Sequence, residues 1–118
     1  MRLVVIESPY SGDVEKHVNY LRLCMHDCFM RGEAPFASHG LYTQPGVLRD
    51  DVPEERALGI QAGFWWGKHA SAVVVYEDYG ISPGMAIGIE KGNLEGKIVE
   101  YRRLHTRDQH ASTEIPNL

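Results

Sequence analysis

The sequence predicts an α/β fold. It is a flavodoxin-like or Rossmann-like three-layer sandwich around a parallel sheet of four strands, with room for a fifth, in the order 2-1-3-4. Three observations predict it. The runs Leu3-Val4-Val5-Ile6 and Ala72-Val73-Val74-Val75-Tyr76 are apolar and rich in β-branched residues, as in strands buried on both faces. Segments with helical apolar spacing lie between the strands, and the order βα-βα-βα-β demands right-handed crossovers. Two loop signals about seventy residues apart then stand where a strand hands over to a helix: Glu7-Ser8-Pro9-Tyr10-Ser11-Gly12 and Tyr79-Gly80-Ile81-Ser82-Pro83-Gly84-Met85.

Each element follows from its residues. Residues 2–7 form the first strand. Gly12-Asp13 starts a helix whose apolar stripe is Val14, Val18, Leu21, Met25, Cys28 and Phe29, and Arg31-Gly32 stops it. Glu33-Ala34-Pro35-Phe36-Ala37 is a short second strand, with proline suiting an edge position. Residues 38–52 form a long connection, and such loops in small domains commonly carry function. Pro53-Glu54-Glu55-Arg56 is a first helical turn, with proline at its start and acids that complement the dipole. That helix runs to Lys68-His69. Residues 72–76 are the third strand, Pro83 opens a third helix that Gly96 stops, and residues 97–101 are the fourth strand. The domain is placed at residues 1–104, and the polar stretch 105–118 reads as a mobile tail.

Composition bounds the function. The chain has 118 residues, enough for one domain with a real core. A formal charge of −4 argues against a nucleic-acid backbone binder. No apolar run approaches the roughly 20 residues of a membrane span, and Glu7 cuts short any signal-peptide core, so a cytoplasmic protein with no membrane partner is expected. Cys24 and Cys28 lie four apart on one helix face, about 5–6 Å apart at Cβ, where a disulfide wants about 3.8 Å. No second ligand pair has zinc-type spacing, so they read as small buried apolar residues and no metal is expected.

In an open parallel sheet, ligands bind at the carboxyl ends of the strands, where the two loops converge. Small residues, hydroxyls and a helix N-terminus there suit an anion such as phosphate. The candidate ligand-binding residues are therefore Ser8, Pro9, Tyr10, Ser11, Gly12, His39, Tyr79, Ser82, Pro83, Gly84 and Met85. Tyr79 could stack on a base or stand as a surface aromatic. His39 could contact the ligand or serve the structure. Tyr42-Thr43-Gln44 could close over a ligand or onto a second subunit. Trp65-Trp66 suits packing or a subunit interface better than base stacking. Arg56 is a minor candidate for an anion.

The Ser8-Pro9-Tyr10-Ser11-Gly12 loop, Gly32-Glu33-Ala34-Pro35, His39, Glu54-Glu55-Arg56 and Ser82-Pro83-Gly84-Met85 occur in an order that resembles the nucleoside 2-deoxyribosyltransferase-like superfamily, in particular its small phage-type members. The resemblance covers about residues 3–104. It implies a flavodoxin-like fold, a homodimer or higher homo-oligomer with sites near the interface, a nucleotide-type small molecule as partner, and no cofactor. Catalytic members use a glutamate four residues after a glycine of the second loop, assisted by an aspartate on the second helix. Here those positions hold Gly88 and Gly63. Losing the nucleophile removes most of a double displacement. Glu77 and Asp78, after the third strand, are the fallback acids. The chain therefore reads as a non-catalytic binder of a nucleotide-derived molecule. In its sharpest form it is a phage protein that sequesters a host immune signal such as a cyclic nucleotide or a cyclic ADP-ribose. The alternatives are a deoxyribosyltransferase or nucleotide N-glycosidase with a displaced carboxylate, and a scaffold protein that keeps only the fold.

Overall fold

A computed structural model describes residues 1–104 of the chain. Strand β1 (Arg2–Glu7) is followed by helix α1 (Val14–Met30), strand β2 (Glu33–Phe36), a short helix α2 (Ser38–Leu41), helix α3 (Pro53–Gly67), strand β3 (Ala72–Tyr76), helix α4 (Pro83–Leu94) and strand β4 (Ile98–Arg102). The four strands form one sheet in the order β2-β1-β3-β4, parallel throughout. Val4 pairs with Pro35 on one side and with Ala72 on the other, and Ala72 pairs in turn with Ile98. The tail at 105–118 lies outside the described residues.

Strand alternation divides the core in two. Val4 and Ile6 of β1 and Ala72, Val74 and Tyr76 of β3 pack with Tyr20, Leu21, Cys24 and Cys28 of α1. Val73 and Val75 face the other way, onto Met85 and Ile89 of α4. All five β3 residues are buried, as expected of a central strand with helices on both faces. Helices α3 and α4 share the second face and come close to the sheet through glycines. A Cβ at Gly67 would lie 3.5 Å from Val5, and one at Gly92 would overlap the Val73 side chain.

Helix α1 departs from its expected stripe. Val14 and Phe29 are exposed, whereas Tyr20 and Asp27 are buried. Both can be buried because their polar atoms are satisfied. Tyr20 donates to Asp78 (2.6 Å), and Asp27 accepts from the Tyr76 hydroxyl (2.7 Å) and pairs with Arg31 (2.9 Å). The two cysteines are free and buried, but Cys28 is not in an apolar setting, because its thiol lies 3.4 Å from the Tyr76 hydroxyl. On the same side of the sheet Arg102 makes two 2.8 Å hydrogen bonds to Glu33, both nearly fully buried. That contact, against the cost of burial, holds the Glu33 carboxyl down at about 2. The long connection at 38–52 is not wholly irregular: α2 occupies its start, where a side chain at Gly40 would collide with Leu21. No helix among the described residues is long and apolar enough to cross a membrane.

Candidate functional site

The strand order reverses direction between β1 and β3, so the loops after these two strands part there and leave a crevice. A cavity of about 780 Å³ occupies it. Its walls come from the loop after β1, from α2, from Asp50, Asp51 and one side of α3, and from the first half of α4.

The loop after β1 turns through Gly12, whose φ of +93° suits glycine. Asp13 then caps α1 by accepting from the Lys16 amide (3.2 Å). A carboxylate thus already stands at the α1 N-terminus, where it disfavours a second anion. Ser8 is buried, and its hydroxyl lies 2.7 Å from Nε2 of His39. Burial pushes the His39 imidazole down to about 4, so it is neutral at pH 7. The Thr43 hydroxyl donates to the His39 carbonyl (2.6 Å) and the Gln44 amide to the Gly40 carbonyl (2.9 Å), which folds this segment back onto α2.

The second loop turns at Gly80, with φ +83°. Ser82 caps α4 by accepting from the Met85 amide (3.2 Å), and Pro83 opens the helix. Arg56 reaches this helix start from α3: a Cβ on Gly84 would lie 3.5 Å from its Nη2. Arg56 also faces Asp50 at 3.6 Å. An arginine beside the amide-rich start of a twelve-residue helix is a place for an anion.

Of the expected site residues, Ser8, Tyr10, Ser11, Gly12, His39, Ser82, Pro83, Gly84 and Met85 line the cavity. Met85 is also core, packed against Val73 and Val75. Pro9 is buried and is not among the lining residues. Tyr79 also lies outside the lining. Its ring sits 4.6 Å from that of Tyr20, under the Lys16 ammonium at 4.2 Å. The fallback acids do not line the cavity either. Asp78 accepts from the Tyr20 hydroxyl and the Leu104 amide (3.0 Å), and Glu77 faces Arg103 at 3.5 Å.

A different carboxyl lies in the cavity wall. Glu7 ends β1 and borders both this cavity and a smaller one between α3 and α4. Any side chain at Gly88 would run into the Glu7 carboxyl. The space left by the missing side chain on α4 is thus filled by a carboxyl from β1. Among the described residues no hydrogen-bond donor or cation contacts it. Burial alone pushes Glu7 up to about 8, so it is largely protonated at pH 7. Sequence reasoning missed this residue. Its signal was an acid at the carboxyl end of an apolar strand. No three His, Cys, Asp or Glu side chains among the described residues are grouped as metal ligands.

The sequence matches the family described as domain of unknown function (DUF7768) over residues 2–102, and the chain belongs to that family. The searches of curated proteins and of solved structures gave no significant match.

Proposed function

We propose that this member of the DUF7768 family binds a nucleotide-derived small molecule in the crevice between the β1 and β3 loops and holds it without turning it over. The observation that carries the reading is the cavity itself. It sits at the switch point of a parallel sheet, and its volume of about 780 Å³ lies within the roughly 300–1,000 Å³ of small-molecule sites. The phosphate end of the ligand lies at the α4 N-terminus beside Arg56, because Asp13 already occupies the α1 N-terminus. Ser8, Tyr10 and Ser11 offer hydroxyls to the sugar. The absence of a carboxylate at position 88 supports binding over group transfer. In its sharpest form the protein sequesters a cyclic signalling nucleotide.

The test is incubation of the purified protein with nucleoside monophosphates, cyclic dinucleotides and cyclic ADP-ribose isomers, followed by heat release and chromatography. Recovery of an intact ligand supports the proposal. With Arg56→Ala, affinity for a phosphate-bearing ligand falls at least about tenfold while affinity for the matching nucleoside hardly changes. No retained ligand from the whole panel overturns the proposal. Appearance of free base favours a second reading, an N-glycosidase, for which Glu7, Asp50 and Asp51 are carboxyls lining the cavity.

A further inference from the structure

The crevice is sparsely supplied with positive charge. Among the described residues that line it, Arg56 is the one lysine or arginine, against three carboxyl side chains, Glu7, Asp50 and Asp51. Glu7 attracts no anion, whether protonated or ionised. Asp50 faces the Arg56 guanidinium at 3.6 Å, so it shares that charge and stands beside the place an anion would take. Other cations are engaged elsewhere. Arg49 is turned onto Asp51, at 2.9 and 3.2 Å, Lys16 lies over the Tyr79 ring, and Lys91 faces Glu95.

Backbone donors are limited too. In the first turn of α4, Pro83 has no N–H, and the Met85 amide donates to the Ser82 hydroxyl (3.2 Å). The Ser82 amide faces the Met85 sulfur (3.4 Å), and the Ala86 amide donates to the Ser82 carbonyl (3.0 Å). That leaves the Gly84 amide open, at the position Arg56 reaches. The other long helix that starts at the crevice, α1, is capped by the Asp13 carboxylate.

We infer that the crevice takes a ligand with one phosphate group, and that Asp50 turns away ligands with a second. One phosphate matches one arginine and one open amide. A second meets no cation in the lining, whether it is joined to the first, as in a nucleoside diphosphate, or carried across the ring of a cyclic dinucleotide. Asp50 and Asp51 repel it. The rest of the wall suits the uncharged parts of the ligand, with Val5, Val14, Phe36, Ile60, Phe64 and Ile87 giving it an apolar surface. The inference rests on the proposed binding of a nucleotide in this crevice, and it adds how many phosphates that nucleotide carries.

The experiment is calorimetric titration with AMP, cyclic AMP, ADP and cyclic di-AMP and with their guanine counterparts, on the wild-type protein and on Asp50→Asn. Low ionic strength keeps the repulsion unscreened, and EDTA keeps a divalent cation from bridging phosphate and carboxylate. For the wild type, the tighter of the two one-phosphate ligands of a base binds at least about tenfold more strongly than its diphosphate or its cyclic dinucleotide. Asp50→Asn keeps Arg56 and removes one charge, so the gap narrows at least about threefold, because the ligands with two phosphates gain more. A thermal melt without ligand shows whether this variant is folded, and the wild-type comparison decides on its own if it is not. A ligand with two phosphates that binds the wild type as tightly as its one-phosphate counterparts, or a folded Asp50→Asn protein that keeps the wild-type gap, overturns this inference and leaves the crevice proposal standing. Binding of none of these nucleotides by either protein overturns both.

Discussion

Two carboxyls shifted in opposite directions give this protein opposite responses to pH. Glu7 goes from an ordinary value of 4.5 in the unfolded chain to about 8 in the fold. The folded state therefore binds the proton more tightly, and stability is lost as pH rises from about 4.5 through about 8. Glu33 moves the other way, to about 2, so its contribution is present above about 4.5 and lost as pH falls toward 2. Replacing Glu7 with glutamine should raise the melting temperature by several degrees at about pH 9 and leave it nearly unchanged at about pH 4. Equal effects at both values in a pH-resolved thermal melt would show that the carboxyl is solvated. Neither residue's state was legible in the sequence. Glu33 is buried because Arg102, sixty-nine positions away, reaches it, and Glu7 lies against α4 because a glycine there makes room. Pattern reading sees the residues but not the distances between them.

At the scale of elements, the strands and helices were legible because their residues agree locally and globally. The apolar run at 72–76 has no polar residue to interrupt it, and it became the fully buried central strand. Proline at position 53 and at position 83 marked two helix starts, and both helices begin there. The stripe on α1 was misread where a polar side chain found a buried partner, as Asp27 did with Tyr76. Helices α3 and α4 were harder to place against the sheet because their buried residues are largely glycines: Gly63, Gly67, Gly88 and Gly92. A glycine is read as a helix weakener, yet here it sets how closely the helix approaches. Gly92→Ala gains helix propensity of about 1 kcal/mol, but its methyl meets Val73 at 2.7 Å in a strand that cannot shift. We expect a net loss of about 1–3 kcal/mol by urea unfolding. A stabilised variant would mean that α4 rides farther from the sheet.

For the molecule as a whole, the parallel order β2-β1-β3-β4 places the crevice in which we propose the ligand binds. Most of the candidate residues line one crevice because topology alone brings the loops after β1 and β3 together. Tyr79 and Asp78 lie outside its lining, on the α1 side, where both contact Tyr20. Leu58, Trp65 and Trp66 of α3 and Leu94 of α4 are exposed. Large exposed apolar side chains of this kind suit the homodimer we propose, which would cover them. Sedimentation equilibrium should therefore return about twice the 13.3 kDa chain mass, with Trp66→Glu returning the monomer value. A wild-type monomer at micromolar concentration would contradict the dimer.

The claim on which the rest depends is that the crevice takes a nucleotide, and amide chemical shifts test it most directly. On addition of AMP to isotope-labelled protein, the amides of Tyr10, Ser11, Gly12 and Gly84 should shift together and saturate, while those of β4 and the α1 C-terminus stay in place. Saturating shifts confined to residues outside the crevice, or none with AMP or any other nucleotide of the panel, would contradict the account.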